Sequence, residues 1–206
     1  MTITTRIWIG LALVYFVFFS WYTSFGGPLT EEEIAHYSAI LGARGDSEQV
    51  EVWRAFMESD TGDDFVMLNA IDIADVPRQV PGVQPGDSSE DVLNRYTAPF
   101  LGKALRSAAH PVLVGTAAAA PIDLWGIEGA TGWTGGGLVR YRSRRDVMKQ
   151  VEWASQLDDS IHAYKIAAME KTIAYPLDPW MYAGDPRLLL ALFLIIAGLG
   201  AQLRWR

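Results

Sequence analysis

The sequence predicts an α+β domain of order β-α-β-β-α-β, carried between two apolar terminal helices. The first of three supporting observations is the partition of charge. All 24 acidic residues and fourteen of the 17 basic ones lie within 28–187, giving that segment a net charge of -10. Residues 1–27 carry Arg6 as their single charged side chain, and 188–206 carry Arg204 and Arg206. The second is a pair of long uncharged runs at the two ends. The third is a middle segment in which short apolar runs of strand length alternate with stretches patterned at helical spacing. An acidic balance of this kind leaves no positive stripe to neutralise phosphates, which excludes nucleic acid as a partner. The absence of cysteine excludes disulfides, thiolate metal sites and cysteine nucleophiles.

Ile7–Phe25 is 19 residues without a charge. At about 1.5 Å per residue a helix of that length reaches about 28 Å, close to the hydrocarbon thickness of a bilayer. Trp8 at one end and Trp21 with Tyr22 at the other suit the interfacial aromatic belts. A cleaved signal peptide is the competing reading, but no A-x-A-like site follows. Residues 1–27 are therefore expected to form a transmembrane helix. Tyr15, Phe16, Phe18 and Phe19 then face lipid most simply, with packing against other helices, pigments or quinones as the alternative.

Residues 28–62 read as a helical hairpin. Thr30-Glu31-Glu32-Glu33 has the spacing of a capping box, followed by Ile34, Tyr37, Ile40 and Leu41 at helical intervals. After a break at Gly42–Gly45, Ser47–Glu58 presents Val50, Trp53 and Met57. Residues 63–180 carry the main domain. Phe65–Ile71 is a strand, and 76–87, with three prolines, is a loop. Residues 88–109 form a helix with an apolar side of Val92, Leu93, Tyr96, Phe100 and Leu105, kinked or split by Pro99. Pro111–Ala119 and Leu138–Arg142 are the second and third strands, joined through a glycine- and tryptophan-containing hairpin region, 121–137. Ser143 caps a helix that buries Val147, Met148, Val151 and Ala154, and Ser160–Met169 is a further helical piece. Thr172–Tyr175 is the last strand, ended by Pro176. Asp185-Pro186 then starts the second apolar helix, 186–206, with Asp as N-cap and Pro at the first helical position.

The strand–helix order is that of a ferredoxin-like sheet: four antiparallel strands with helices on one face. The other face is expected to need a partner or a second copy, because a large uncovered apolar patch is unfavourable. Val139-Arg140-Tyr141-Arg142-Ser143-Arg144-Arg145-Asp146 and His162 through Thr172, with Leu29-Thr30-Glu31-Glu32-Glu33 and Phe65-Val66-Met67-Leu68-Asn69, resemble an uncharacterised bacterial family in the dimeric α/β-barrel superfamily, specifically its membrane-anchored members. The resemblance covers roughly 28–178, and the C-terminal span departs from it. It implies two sheets facing one another in a barrel. Some members of the superfamily bind haem or oxidise small aromatic substrates, but none of their ligand or catalytic motifs falls on this chain.

No catalytic residue, metal site or cofactor emerges from the spacing. The acid pairs Asp63-Asp64 and Asp158-Asp159 are adjacent, so their carboxylates diverge. Gly132-Trp133-Thr134-Gly135-Gly136-Gly137 lacks the lysine and helix of a phosphate loop and reads as a hairpin turn. Four residues remain as candidate ligand or partner contacts: Arg140, Arg142, His162 and Lys165. Arg140 and Arg142 share one strand face and present two forks suited to a carboxylate or phosphate; ion pairing with the domain's own acids is the plainer account. His162 lies beside Lys165 on a helix, where a hydrogen bond to a neighbour suffices to explain it. Arg144 and Arg145 open a helix, an unfavourable end for cations, so partner acids are expected nearby.

These readings lead to the expectation of a non-catalytic accessory or structural subunit of a membrane complex, with respiratory or photosynthetic assemblies as hosts. The alternative is a membrane-tethered ligand-binding protein or enzyme with a pocket inside a dimeric barrel. Membrane lipids and complex subunits or a second copy are the expected partners. Arg6 at one end and Arg204 and Arg206 at the other put both termini in the cytoplasm by the positive-inside rule, opposed weakly by Arg187. The central domain is then periplasmic, on the inner membrane. Protease added to spheroplasts should therefore digest the 28–187 segment; a protected segment would place it in the cytoplasm.

Overall fold

The computed structural model describes residues 1–43, 47–157 and 159–205. Arg206 and one member of the pair Asp158-Asp159 lie outside them, as does most of the break after Gly42. The first apolar helix, α1, spans Ile3–Tyr22. It starts earlier than the uncharged run because the Thr2 hydroxyl accepts from the Thr5 amide at 3.2 Å. The hairpin follows as α2 (Glu31–Gly42) and α3 (Ser47–Glu58). The capping box is present in both directions, Thr30 Oγ1 accepting from Glu33 N and Glu33 accepting from Thr30 N. The hairpin packs back on the domain through a core of Leu29, Tyr37, Met57 and Met148.

Four strands and three helices make the domain: β1 (Phe65–Ile73), α4 (Ser89–Arg106), β2 (His110–Thr116), β3 (Gly135–Tyr141), α5 (Arg144–Ser155), α6 (Asp159–Ala168) and β4 (Met169–Leu177). The sheet is antiparallel throughout, in the order β2-β3-β1-β4. Three expectations are corrected. Helix α4 is not split, but runs on through Pro99. Strand β4 does not stop at Pro176, which pairs with Met67; β4 is an edge strand, where a residue without an N–H is tolerated. Gly135–Gly137 are not turn residues but the opening of β3. Here the neighbouring backbones press in: a Cβ at Gly136 would stand 2.5 Å from the Asn69 carbonyl oxygen, and one at Gly135 would stand 2.7 Å from that of Gly115. The run that resembles a flexible turn is therefore the place where three strands approach too closely for side chains.

Alternation along the strands gives the sheet two distinct faces. Met67 and Asn69 of β1, Tyr141 of β3 and Ala174 of β4 face the helices. The opposite face carries Val66, Leu68 and Ala70, Leu138 and Arg140, Leu113, and Ile173, Tyr175 and Leu177. The 76–87 loop is held down by Val83, buried with Val92, Ala167 and Ala168 between α4 and α6.

The second apolar helix, α7, spans Pro186–Arg204 with Asp185 as its N-cap. Both terminal helices are long and apolar enough to cross a membrane. They lie antiparallel and touch at a specific point: Trp8 sits on Gly198, and its indole N–H reaches Gln202 Oε1 at 3.4 Å. A Cβ at Gly198 would stand 2.5 Å from the Trp8 ring, whereas Gly200 has nothing within 4 Å. Close approach through a small residue is the usual device for pairing apolar helices. Gly198→Leu should cost about 1–3 kcal/mol of overpacking, lowering the unfolding midpoint in lipid nanodiscs, while Gly200→Leu should leave it unchanged.

Candidate functional site

The four candidate contacts separate into two places. Arg140 and Arg142 lie where α1 enters the domain; His162 and Lys165 lie at a cavity between the sheet and the helices.

At the entry point, the last residues of α1 leave carbonyl groups that the helix itself cannot satisfy. Arginines from the β3–α5 corner supply the donors. Arg140 is 1 % exposed, donates to Tyr22 O at 2.9 Å, to Ala108 O at 3.0 Å and to Asp64 at 3.0 Å, and stacks on the Tyr22 ring at 3.7 Å. Arg142 donates to Trp21 O at 2.9 Å and forks onto Asp146 at 2.7 and 3.1 Å. Arg145 continues the series, donating to Gly27 O and Pro28 O and pairing with Glu33 at 2.6 and 3.0 Å. That contact holds the Glu33 carboxyl at about 2, well below the ordinary glutamate range, chiefly through the Arg145 hydrogen bonds. Arg144 donates to Phe56 O and Ser59 Oγ, with Asp60 and Asp178 as its acids. The acids expected beside Arg144 and Arg145 are thus identified. From the other side, Arg187 at the start of α7 reaches the same Asp64 at 3.0 Å and its own N-cap Asp185 at 2.6 Å. The Tyr22 hydroxyl meets His110 Nε2 at 2.6 Å, which makes His110 a bracket for α1. The forks of Arg140 and Arg142 are occupied by internal partners, so the basic cluster acts as a brace.

The second place is a cavity of about 750 Å³ between the inner sheet face and α2 to α6. Met67, Trp53, Phe100, Val147 and Ile161 give it apolar walls. Its polar groups include Asn69, Tyr96, Tyr141, Gln150, His162 and Lys165. Among the described residues no aspartate or glutamate lines it, although the domain is strongly acidic. Lys165 forms no ion pair with a described residue, and its ammonium lies 5.7 Å from the centre of the Tyr96 ring. Burial pushes Lys165 below the ordinary lysine range, raises Tyr96, and lifts Tyr141 to about 12. His162 stands edge-on to Tyr96 at 6.5 Å between ring centroids. Tyr96, Tyr141 and Gln150 are the site residues that sequence reasoning did not single out. The alternation that turns Tyr141 away from Arg140 was the available signal for one of them, while Gln150 and Tyr96 reach the cavity from separate helices. Among the described residues, no group of three histidine, aspartate or glutamate side chains is arranged to hold a metal.

No protein-family model matches the chain, and no curated protein does. Two solved structures resemble its fold. One is RPA0582, a protein of unknown function from Rhodopseudomonas palustris, at 16 % identity and a TM-score of 0.50, over 66 % of this chain and 95 % of that one. The other is the methylated form of RPA0582, at 17 % identity and a TM-score of 0.51, over 68 % of this chain and 95 % of that one. At these identities the likeness is one of fold.

Removing a buried cation leaves its acceptors unpaired, which costs more than losing an exposed pair. Arg140→Met should destabilise the domain by about 3 kcal/mol or more, and Arg142→Met, whose side chain is 25 % exposed, by less, an order that thermal unfolding of the two variants would establish.

Proposed function

We propose that this chain is a two-span membrane protein whose ferredoxin-like domain serves as a non-catalytic structural or accessory subunit and docks a second copy through its open sheet face. Strand order β2-β3-β1-β4 with antiparallel pairing supports the ferredoxin-like topology. It also suits membership of the dimeric α/β-barrel superfamily. The membrane reading rests on α1 and α7 being apolar and exposed nearly all round, a pattern suited to lipid on the outside. Their antiparallel pairing puts both chain ends on one side and the domain on the other. With Arg6 and Arg204 at the far ends, the domain belongs on the periplasmic side.

The observation that carries the docking proposal is the orientation of the open face. The α1 exit and the start of α7 meet the sheet at the beginning of β1 and the end of β3, through Asp64 and Arg140. Both apolar helices therefore join the domain at one end of the sheet, and Leu113, Ile173, Tyr175 and Leu177 of the open face remain exposed. Another copy anchored in the same bilayer presents the same face at the same height. That face has a row of small residues, Gly115, Gly136 and Ala70, beside a row of large ones, Leu113, Leu138, Leu68 and Tyr175. A two-fold pairing sets small against large and requires no charged contact. The cations on that face, Arg140 and Lys171, are already paired with Asp64 and Asp72.

Leu113 and Tyr175 are 61 % and 43 % exposed, so glutamate at both positions should scarcely disturb the monomer. In nanodiscs, the parent protein should form a dimer by mass measurement, and Leu113→Glu with Tyr175→Glu should weaken it at least tenfold, about 1.4 kcal/mol. A parent protein that stays monomeric at micromolar concentration would refute the pairing.

A further inference from the structure

The cavity behind the sheet lies on the opposite side from the docking face, and neither the anchor nor the pairing accounts for its composition. A cavity with largely apolar walls, in a segment of net charge -10, has Lys165 in its lining and, among the described residues, no carboxylate. Lys165 is half-buried, and drawing an ammonium even partly out of water is costly unless an anion accompanies it. Every other cation described at the core of this protein has an acid beside it: Arg140 has Asp64, Arg144 has Asp60, and Arg145 has Glu33. Lys165 has the face of Tyr96 instead. The hydroxyls of Tyr96 and Tyr141, which line the same space, make no hydrogen bond to a described residue. The Gln150 side chain, 8 % exposed, lies in the same wall, and its amide nitrogen lacks a partner. A buried polar atom without a protein partner is uncommon, and the Gln150 amide nitrogen stands here beside the half-buried Tyr96, Tyr141 and Lys165, whose polar ends are equally open to a ligand.

We propose that this cavity binds a small carboxylate with an apolar body, with Lys165 as the counter-ion and the Tyr96 and Tyr141 hydroxyls as donors to the carboxylate oxygens. The volume of about 750 Å³ suits a compact organic ligand. Trp53, Phe100, Met67 and Ile161 receive the apolar body, and no described lining residue is an acid that would repel the carboxylate. A neutral ligand of the same shape satisfies the walls but leaves Lys165 unpaired, so the site discriminates by charge. Because burial lowers the Lys165 pKa, binding weakens as pH rises and the ammonium loses its proton. This proposal stands independently of the pairing through the outer face.

The test uses the full chain in nanodiscs, with octanoate and 2-naphthoate as acyl and aromatic probes and 2-naphthamide as the uncharged control. Equilibrium dialysis should show saturable binding of at least one carboxylate, identifying the source class, and at least tenfold weaker binding of the amide. Lys165→Met should reduce carboxylate affinity at least tenfold, change amide binding less than twofold and abolish the alkaline decline. Tyr141→Phe keeps the ring stacked on Phe65 at 5.3 Å and removes one donor; it should weaken carboxylate binding several-fold and provides a folded variant should Lys165→Met fail to fold. No saturable binding of either carboxylate, equal binding of acid and amide, or carboxylate binding unaltered in the folded variants would overturn the proposal.

Discussion

The carbonyl groups at the end of α1 have to be satisfied at the point where an apolar helix meets a polar domain, and the rest of the structure follows from how that is done. A helix ending in solvent gives its last carbonyls to water. Here Trp21 O and Tyr22 O accept from Arg142 and Arg140, which project from the last residues of β3 and the strand–helix corner after it. Positive charge at a helix C-terminus is favourable, and a guanidinium can serve a carbonyl and a carboxylate together. Arg140 does this with Tyr22 O and Asp64, and Asp64 in turn receives Arg187 from the start of α7. Two helices separated by more than 160 residues are thereby tied to one carboxylate at the head of β1.

This brace has two consequences for what the domain can present. It places the attachment at one end of the sheet, so neither broad face is covered by the terminal helices. One face receives α2 to α6 and the other remains apolar and open. It also binds the hairpin to the domain, since Arg145 holds the segment at Gly27 and Pro28, and Arg144 holds the end of α3. The hairpin is consequently a wall of the inner cavity, contributing Ile40, Leu41, Val50 and Trp53.

Local signals were legible wherever the chemistry is local. The capping residues Thr30, Ser88, Ser143 and Asp185 each start a helix where expected, because a cap is a contact across three residues. Alternation at 138–142 correctly separated Tyr141 from Arg140 and Arg142. Misreadings arose where a neighbouring strand decides. Gly135–Gly137 looks like a turn, yet it is strand because the adjacent backbones leave no room for Cβ atoms. Pro176 looks like a stop, yet its strand lies at the edge of the sheet and needs no donor there. The cavity was half legible: His162 and Lys165 share one helix, but Tyr96, Tyr141 and Gln150 come from other elements.

The sequence by itself determined the partition into two apolar ends and an acidic middle, the alternation of strands and helices, and the helix starts, since composition, periodicity and capping act over a few residues. Tertiary structure alone decided which cations are occupied. Arg140, Arg142, Arg144 and Arg145 form one basic run on paper, and each has its acid and its carbonyl in space; Lys165 looks ordinary on paper, and no described acid pairs with it. The reason is that pairing and burial of a charge depend on what distant segments bring within about 4 Å of it, and no spacing along the chain encodes that distance.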